Sequence, residues 1–157
     1  MRRLFVFVLS LGILAAVTAC APNPPPVDDC AHGVDLHGVD LHDVDLHERD
    51  LSGVNLSNAF LERLNVSGAN LSCANLTGAN LYQADLSDAN LTGANLTGAD
   101  VVFTDLSGAN LSFVDLTDAS LLGSNGNPSN VTGILYSNTT CPNNTVVTSP
   151  STCTFLP

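Results

Sequence analysis

The chain has 157 residues, enough for one small domain, and 45% of them are hydrophobic while 12% are charged. This balance excludes an intrinsically disordered chain. Fifteen acidic residues against four basic ones give a formal charge of −11, which argues against direct binding to polyanionic DNA or RNA.

The first nineteen residues have the pattern of an export signal. Two arginines precede a nearly unbroken apolar run over residues 4–17, which is too short to span a bilayer, and small residues lead to Cys20. The stretch VTAC at 17–20 resembles the lipobox of bacterial lipoproteins, a family in which the signal peptide is cut before the cysteine. This resemblance implies a signal peptide at 1–19, lipidation of Cys20 and anchoring in the bacterial cell envelope. An ordinary signal peptide that happens to meet a cysteine is the alternative.

The segment 20–33 is predicted to be a tether followed by an N-terminal cap. Its stretch APNPPPVDD contains three consecutive prolines, which favour an extended, semi-rigid spacer. Cleavage after residue 19 would leave Arg49 and Arg63 as the only arginines, with no lysine, against fifteen acids, a formal charge of −13. The mature chain is therefore expected to be strongly acidic.

Residues 34–123 divide into eighteen pentapeptides without insertion. The third place of the unit is Leu in sixteen units and Val in two, the first is Ala or Val in fifteen, and the second is Asp or Asn in sixteen. A helix with this period would scatter the leucines around its surface, and a flat strand would point them alternately to opposite faces. A chain that turns a corner after each unit keeps every leucine inside, and four corners close a square in which residues twenty positions apart stack.

These units resemble the pentapeptide repeat family, whose pattern is A-(D/N)-L-x-x. The stretch ANLTGANLTGAD at 89–100 is close to the consensus of that pattern. The resemblance implies an all-β fold, a right-handed quadrilateral β-helix in which the first and third places face inward. Eighteen units would form about 4.5 coils, a rod of about 22 Å at the spacing of paired strands.

Four histidines spaced five residues apart invite a metal site: His32, His37, His42 and His47. All four occupy the outward fourth place, if the register extends back one unit. Successive units lie on successive faces of the square, so these imidazoles should point apart, whereas a metal needs its ligands around a common point. No metal and no cofactor is therefore predicted.

The outward residues sort into columns, because residues twenty apart stack. The large apolar residues of one face form what we call the apolar stripe: Phe60, Tyr82, Val102, Phe103 and Leu122. The next face, which we call the acidic face, carries Asp45, Glu48, Asp85, Asp88 and Asp105. Clustered apolar residues predict a protein-interaction surface, unless the C-terminal segment folds back over them.

Residues 124–157 are predicted to cap the open end of the β-helix, which would otherwise expose unpaired backbone groups. Cys141 and Cys153 lie twelve residues apart in a chain with an export signal, which favours a disulfide. Cys30 and Cys73 lie about two coils apart, roughly 10 Å. That is too far for a disulfide unless the N-terminal cap folds up the side, and their pairing stays open.

The repeats present no catalytic constellation and no concave site, so the chain is not expected to be an enzyme. We expect a membrane-anchored, extracytoplasmic structural or interaction module with a protein partner; the sequence does not fix an oligomeric state. The family resemblance also implies an alternative, an acidic mimic of DNA that occupies DNA gyrase. The export signal argues against that alternative, and so does the lack of helical periodicity in residues 124–157.

Overall fold

The computed structural model of the protein describes residues 33–147 and 153–155. The predicted signal peptide, Cys20, Cys30, His32 and most of the tether lie outside the described residues. Among the residues that are described, no helix is both long and apolar enough to cross a membrane.

The pentapeptides wind into a quadrilateral β-helix, as the repeat period predicts. Each second-place residue pairs in parallel with the residue twenty positions later, in eighteen pairs that begin with Asp35 and Asn55. The backbone N–H of Leu36 donates to the Asn55 carbonyl at 2.7 Å, and the Asn55 N–H donates back to the Val34 carbonyl at 3.0 Å. The fifth-place N–H adds a further bond, as Gly38 does to the Ser57 carbonyl at 2.9 Å. Each coil is thus hydrogen-bonded to the coils above and below it.

The corner of each unit is a tight β-turn. The third-place carbonyl accepts from the first-place N–H of the next unit, as Leu36 does from Val39 at 3.1 Å. The fifth place has a positive φ in all eighteen units, and glycine fills only eight of them. A positive φ at this position is what a type II turn requires. Non-glycine residues adopt it at a cost of about 1–2 kcal/mol, so the other ten units carry local backbone strain.

The core consists of the inward first and third places. All eighteen third-place side chains are buried, and the first places are buried from Val54 onward. In the lowest coil Val34 and Arg49 are exposed, because they stand at the beginning of the stack. Burial of each leucine contributes about 1.5–3 kcal/mol, so stacking supplies the stability that no single unit has alone.

The preference for Asp and Asn in the second place has a structural cause. Asn75 accepts from the backbone N–H of Thr77 at 3.2 Å and from its hydroxyl at 2.7 Å, the geometry of an Asx turn. The Asn75 amide also donates to Asn55 at 3.1 Å on the coil below, and Asn55 donates to Asp35 at 2.9 Å. These side chains fix each corner and join successive coils.

The ladder continues beyond Gly123 and reaches Asn125, Asn130, Leu135 and Thr140. The irregular stretch after Gly123 therefore changes the sequence of the units without ending the stack.

Gly126 occupies a third place in this stretch, with a φ of +95°, and a Cβ there would lie 2.4 Å from the backbone nitrogen of Ser107. A leucine cannot fit at this position. Val131 occupies the third place of the next unit, yet it is 48% exposed.

The upper end is closed by the chain that follows. Strands β1 (Thr139–Thr140) and β2 (Val146–Val147) pair antiparallel. The Cys141–Cys153 disulfide, with a Cα–Cα distance of 5.2 Å, is the pairing that the sequence favoured. Tyr136 is buried over the end of the core, and burial raises the pKa of its hydroxyl to about 12.

Candidate protein-interaction face

Four faces surround the core, and units twenty residues apart share a face. The stripe face contains the units centred on residues 41, 61, 81, 101 and 121, and the acidic face contains those centred on residues 46, 66, 86 and 106. The opposite face, across the rod from the stripe, contains the units centred on residues 51, 71, 91 and 111. The remaining face contains the units centred on residues 36, 56, 76, 96 and 116.

The structure places the apolar stripe on one face and leaves its phenylalanines in solvent. Phe60 is 55% exposed and Phe103 is 52% exposed, while Tyr82, Val102 and Leu122 are half-buried. The rings of Tyr82 and Phe103 meet edge to face, with centroids 5.9 Å apart and an interplanar angle of 82°. The described part of the C-terminal segment, residues 124–147 and 153–155, thus leaves both phenylalanines exposed.

Phe60 stands where the coil normally uses Asp or Asn. It pairs through its backbone with Asp40 below and Asn80 above, so its place in the ladder is regular. In other units, the second-place side chain accepts a hydrogen bond from the fourth-place N–H and so forms an Asx turn. The Phe60 ring has no oxygen to accept this bond from the N–H of Glu62. An exposed aromatic ring thus replaces a side chain that would stabilise the corner.

Phe103 also departs from the local preference of the coil. Its φ is +55°, the left-handed region in which Gly, Asn or Asp fits best. Its ring lies over Gly123 of the next coil, where a Cβ would come within 2.4 Å of Phe103 Cε1. The glycine therefore makes room for the ring.

Phe113 repeats this arrangement on the opposite face. Its φ is +59°, it is 61% exposed, and its ring covers Gly133 in the same way. The sequence places Phe113 in the unit centred on residue 111, outside the apolar stripe. Because Phe103 and Phe113 share the same place, backbone and packing, the second serves as a matched control for the first.

The lower part of the stripe face is polar. The Arg63 guanidinium donates two hydrogen bonds of 2.6 Å to the carboxylate of Asp43, one coil below. This bond lowers the pKa of the Asp43 carboxyl and raises that of Arg63. One of the two described arginines is thus already paired with an acid.

The described histidines lie on three faces. His42 bonds to Asp40 at 2.7 Å, His47 bonds to Asp45 at 2.8 Å, and His37 bonds to Ser57 at 2.9 Å. The bond to Asp40 raises the pKa of His42, and the bond to His47 lowers the pKa of Asp45. Within residues 33–147 and 153–155, no three His, Cys, Asp or Glu side chains come together as a metal site. His32 lies outside those residues.

The acidic face carries its five acids without any arginine or lysine among the described residues. Asp85 and Asp105 are direct partners in the ladder, and each accepts a bond from the serine of its own unit, at 2.9 Å from the N–H of Ser87 and of Ser107. Like charges one coil apart repel, so this face adds a negative field beside the stripe.

Comparison with known proteins bears on the fold. The family model for pentapeptide repeats matches residues 50–88 and 84–125 in eight copies. Rfr23, a pentapeptide repeat protein from the cyanobacterium Cyanothece 51142, is 35% identical over 69% of this chain and 68% of its own, with a TM-score of 0.56. No curated protein sequence matches the chain.

Two other solved structures are similar to a lesser degree. A pentapeptide repeat protein from the Arabidopsis thaliana thylakoid lumen is 30% identical over 74% of this chain and 70% of its own, with a TM-score of 0.35. QnrB1, a plasmid-mediated fluoroquinolone resistance protein, is 15% identical over 59% of this chain and 61% of its own, with a TM-score of 0.43; this likeness is too low to bear on function. With the repeat pattern, the ladder and the resemblance to Rfr23 in agreement, the chain belongs to the pentapeptide repeat family and forms its right-handed quadrilateral β-helix.

Proposed function

We propose that the protein is a non-enzymatic, lipid-anchored module of the bacterial cell envelope that binds a partner protein through the apolar stripe. The observation that carries this proposal is the pair of exposed phenylalanines, Phe60 and Phe103, on one face. Singly exposed apolar residues are common on proteins, but a contiguous group of them is typical of an interaction surface.

The local chemistry supports a role for these rings outside the fold itself. Phe60 gives up an Asx turn, and Phe103 accepts a left-handed backbone, so neither residue is the choice that stabilises the coil best. Sequences depart from local preference mostly at functional or strained sites. Aromatic residues are also the residues that most often dominate the binding free energy of protein interfaces.

Electrostatics favours a partner other than a second copy of the chain. The described residues carry thirteen acids against two arginines, a formal charge of −11, and two such rods repel each other. A partner protein with an apolar patch bordered by basic groups would complement both the stripe and the adjacent acidic face. The acids would then accelerate association, while the aromatic residues would supply most of the affinity.

The anchoring part of the proposal rests on the sequence of residues 1–20. Its test is fractionation of the cells that produce the protein, followed by intact-mass measurement of the mature chain. We expect the protein in the membrane fraction, beginning at Cys20 and carrying acyl chains, and we expect Cys20→Ala to abolish the acylation. Soluble, unacylated protein would refute the anchor.

The binding part is tested by photocrosslinking in the same cells. A photoreactive amino acid replaces Val102 on the stripe or, as the control, Thr92, which is in the same fourth place on the opposite face. We expect one crosslinked protein from position 102 and none from position 92. The crosslink should be lost with Phe103→Ser and kept with Phe113→Ser.

Equal crosslinking from both positions, or a crosslink that survives Phe103→Ser, would refute the stripe as the contact. A crosslinked dimer of the chain itself would identify a second copy as the occupant and overturn the electrostatic argument. The DNA-mimic alternative makes a different prediction. It would be established if the protein were absent from the membrane fraction and inhibited DNA gyrase equally well with and without Phe103→Ser.

A further inference from the structure

The stripe face continues above the repeats, onto the strands that close the upper end. Its second-place column passes by ladder pairs from one coil to the next, through Phe60, Asn80, Asp100, Ser120 and Thr140. Thr140 is the last residue of β1 and lies directly opposite Val146 of β2. The Cys141 N–H donates to the Thr145 carbonyl at 2.7 Å and closes this hairpin. Strand β2 therefore adds one more level to the column that begins at Phe60.

Val146 points outward from this level. Residues directly opposite in an antiparallel pair project to the same side of the sheet. The neighbouring pair points inward, because Thr139 is 0% exposed and Val147 packs against the core. Successive side chains of a strand alternate between the two faces, so Thr140 and Val146 project from the stripe face. Val146 is 60% exposed, which makes it an apolar side chain in solvent above the stripe.

The fourth-place column of the same face also reaches the hairpin. Above Tyr82 and Val102 it continues with Leu122 and then Pro142. The Pro142 carbonyl accepts a hydrogen bond of 3.0 Å from the N–H of Gly123, so the hairpin is joined directly to the uppermost coil of the stripe. Among the described residues of these two columns, no charged side chain lies above Asp100.

The added level changes how large a partner the face can hold. From Phe60 to Leu122 the stripe covers three ladder spacings, about 14 Å. From Phe60 to Val146 the column covers five, about 24 Å. A standard protein interface covers about 800 Å² of each partner and is therefore roughly 28 Å across. The stripe of the repeats alone is short for such an interface, whereas the stripe extended by Val146 approaches its length.

The charge of the face changes along the same direction. Its lower part carries the ion pair of Asp43 and Arg63, and the neighbouring acidic face reaches upward as far as Asp105. In contrast, residues 124–147 and 153–155 contain no Asp, Glu, His, Lys or Arg. A partner therefore meets charge beside the lower stripe and a neutral surface at Val146.

We propose that the contact surface extends onto this hairpin, with Val146 as a contact residue. The partner protein then presents an elongated apolar patch that is uncharged where it meets β2 and basic along the side facing Asp85 and Asp105. This inference rests on the proposed function, because the same partner covers the stripe and the hairpin. A second copy of the chain lacks the basic side, since the described residues contain only two arginines and no lysine.

Photocrosslinking from the full-length chain tests the position of Val146. A photoreactive amino acid replaces Val146 or, as the control, Val131, a second exposed valine that belongs to the column of the opposite face. We expect position 146 to crosslink to the same protein as position 102, identified by mass spectrometry of the crosslinked peptides, and position 131 to give none. A different protein from position 146, or equal yields from 146 and 131, would overturn the extension.

The variant Val146→Thr tests its contribution to affinity. Threonine keeps the β-branched shape that strands favour, but its hydroxyl would be buried without a partner in an apolar contact. We expect the dissociation constant for the protein crosslinked at position 102 to rise about tenfold. The ratio should be the same at low and at high salt, because no charged group of the hairpin is involved. Val131→Thr should leave the constant unchanged.

Phe103→Ser, measured beside these variants, separates this inference from the proposed function. An unchanged affinity in Val146→Thr together with a weakened Phe103→Ser would overturn the extension and leave the stripe as the contact. Unchanged affinity in both variants would overturn both. Equal weakening by Val146→Thr and Val131→Thr would overturn the assignment of the contact to the stripe face.

Discussion

Replacing Leu81 by alanine measures what the stacked core contributes. Leu81 occupies a third place in the middle of the rod and is 1% exposed. The substitution removes three carbon atoms from between Leu61 and Val101, which stack below and above it. Lost transfer free energy is about 2.4 kcal/mol at roughly 0.8 kcal/mol per carbon, and the residual cavity adds to it. We expect a total loss of about 2–5 kcal/mol in the free energy of unfolding.

The control is Leu135→Ala, because Leu135 is in the same ladder but 59% exposed. Its expected effect is within about 0.5 kcal/mol of zero. Both variants are unfolded in urea at 25 °C with their disulfides intact and followed by far-ultraviolet circular dichroism. Equal effects in the two variants, or an unchanged midpoint for Leu81→Ala, would refute the inward position of the third place. Leu81→Asp should prevent folding, because the carboxylate would be buried without a partner.

Three further predictions concern a corner, a buried hydroxyl and a surface ion pair. Gly38→Ala should lower the urea midpoint by the equivalent of about 1 kcal/mol, because φ is +66° although no atom lies within 4 Å of the new Cβ; an unchanged midpoint would contradict the turn geometry. Thr104→Val should cost about 1 kcal/mol in the free energy of unfolding, because the buried hydroxyl donates to the Leu81 carbonyl at 2.8 Å; an unchanged urea midpoint would contradict that hydrogen bond. The hydrogen-bonded ion pair with Arg63 lowers the pKa of Asp43 from its ordinary value of 3.8. The ion pair therefore contributes to the free energy of unfolding above pH 3.8, and this contribution is lost as the pH falls through the lowered pKa of the folded protein. The pKa of Asp43, measured by NMR of its carboxyl carbon during a pH titration, should rise in Arg63→Gln. An unchanged pKa would show that the ion pair is not formed in solution.

The period of five was sufficient to predict the stack, because only a corner in every unit keeps all the leucines inside. It also placed the stripe residues on one face, since a register of twenty residues fixes every column. The chemistry of the corners was not predictable in the same way. Asp and Asn in the second place were visible as a pattern, but their bonds to the fourth-place N–H and to the coil below depend on the three-dimensional turn.

The exposure of the stripe could not be read from the sequence either. Whether Phe60 and Phe103 are covered depends on the path of residues 124–157, whose units depart from the repeat. Gly126 illustrates the difficulty: it occupies a third place that leucine fills elsewhere, and only the approach of Ser107 explains it. A glycine in that position reads as an interruption in the sequence, yet the ladder passes through it unbroken.

The affinity of the crosslinked partner for two purified variants tests the central claim most directly. Phe103→Ser and Phe113→Ser remove the same side chain from the same place and backbone, on opposite faces. A contact on the stripe predicts a dissociation constant at least tenfold higher for Phe103→Ser, about 1.4 kcal/mol, and an unchanged value for Phe113→Ser. Equal constants for both variants, or a weakening confined to Phe113→Ser, would contradict it.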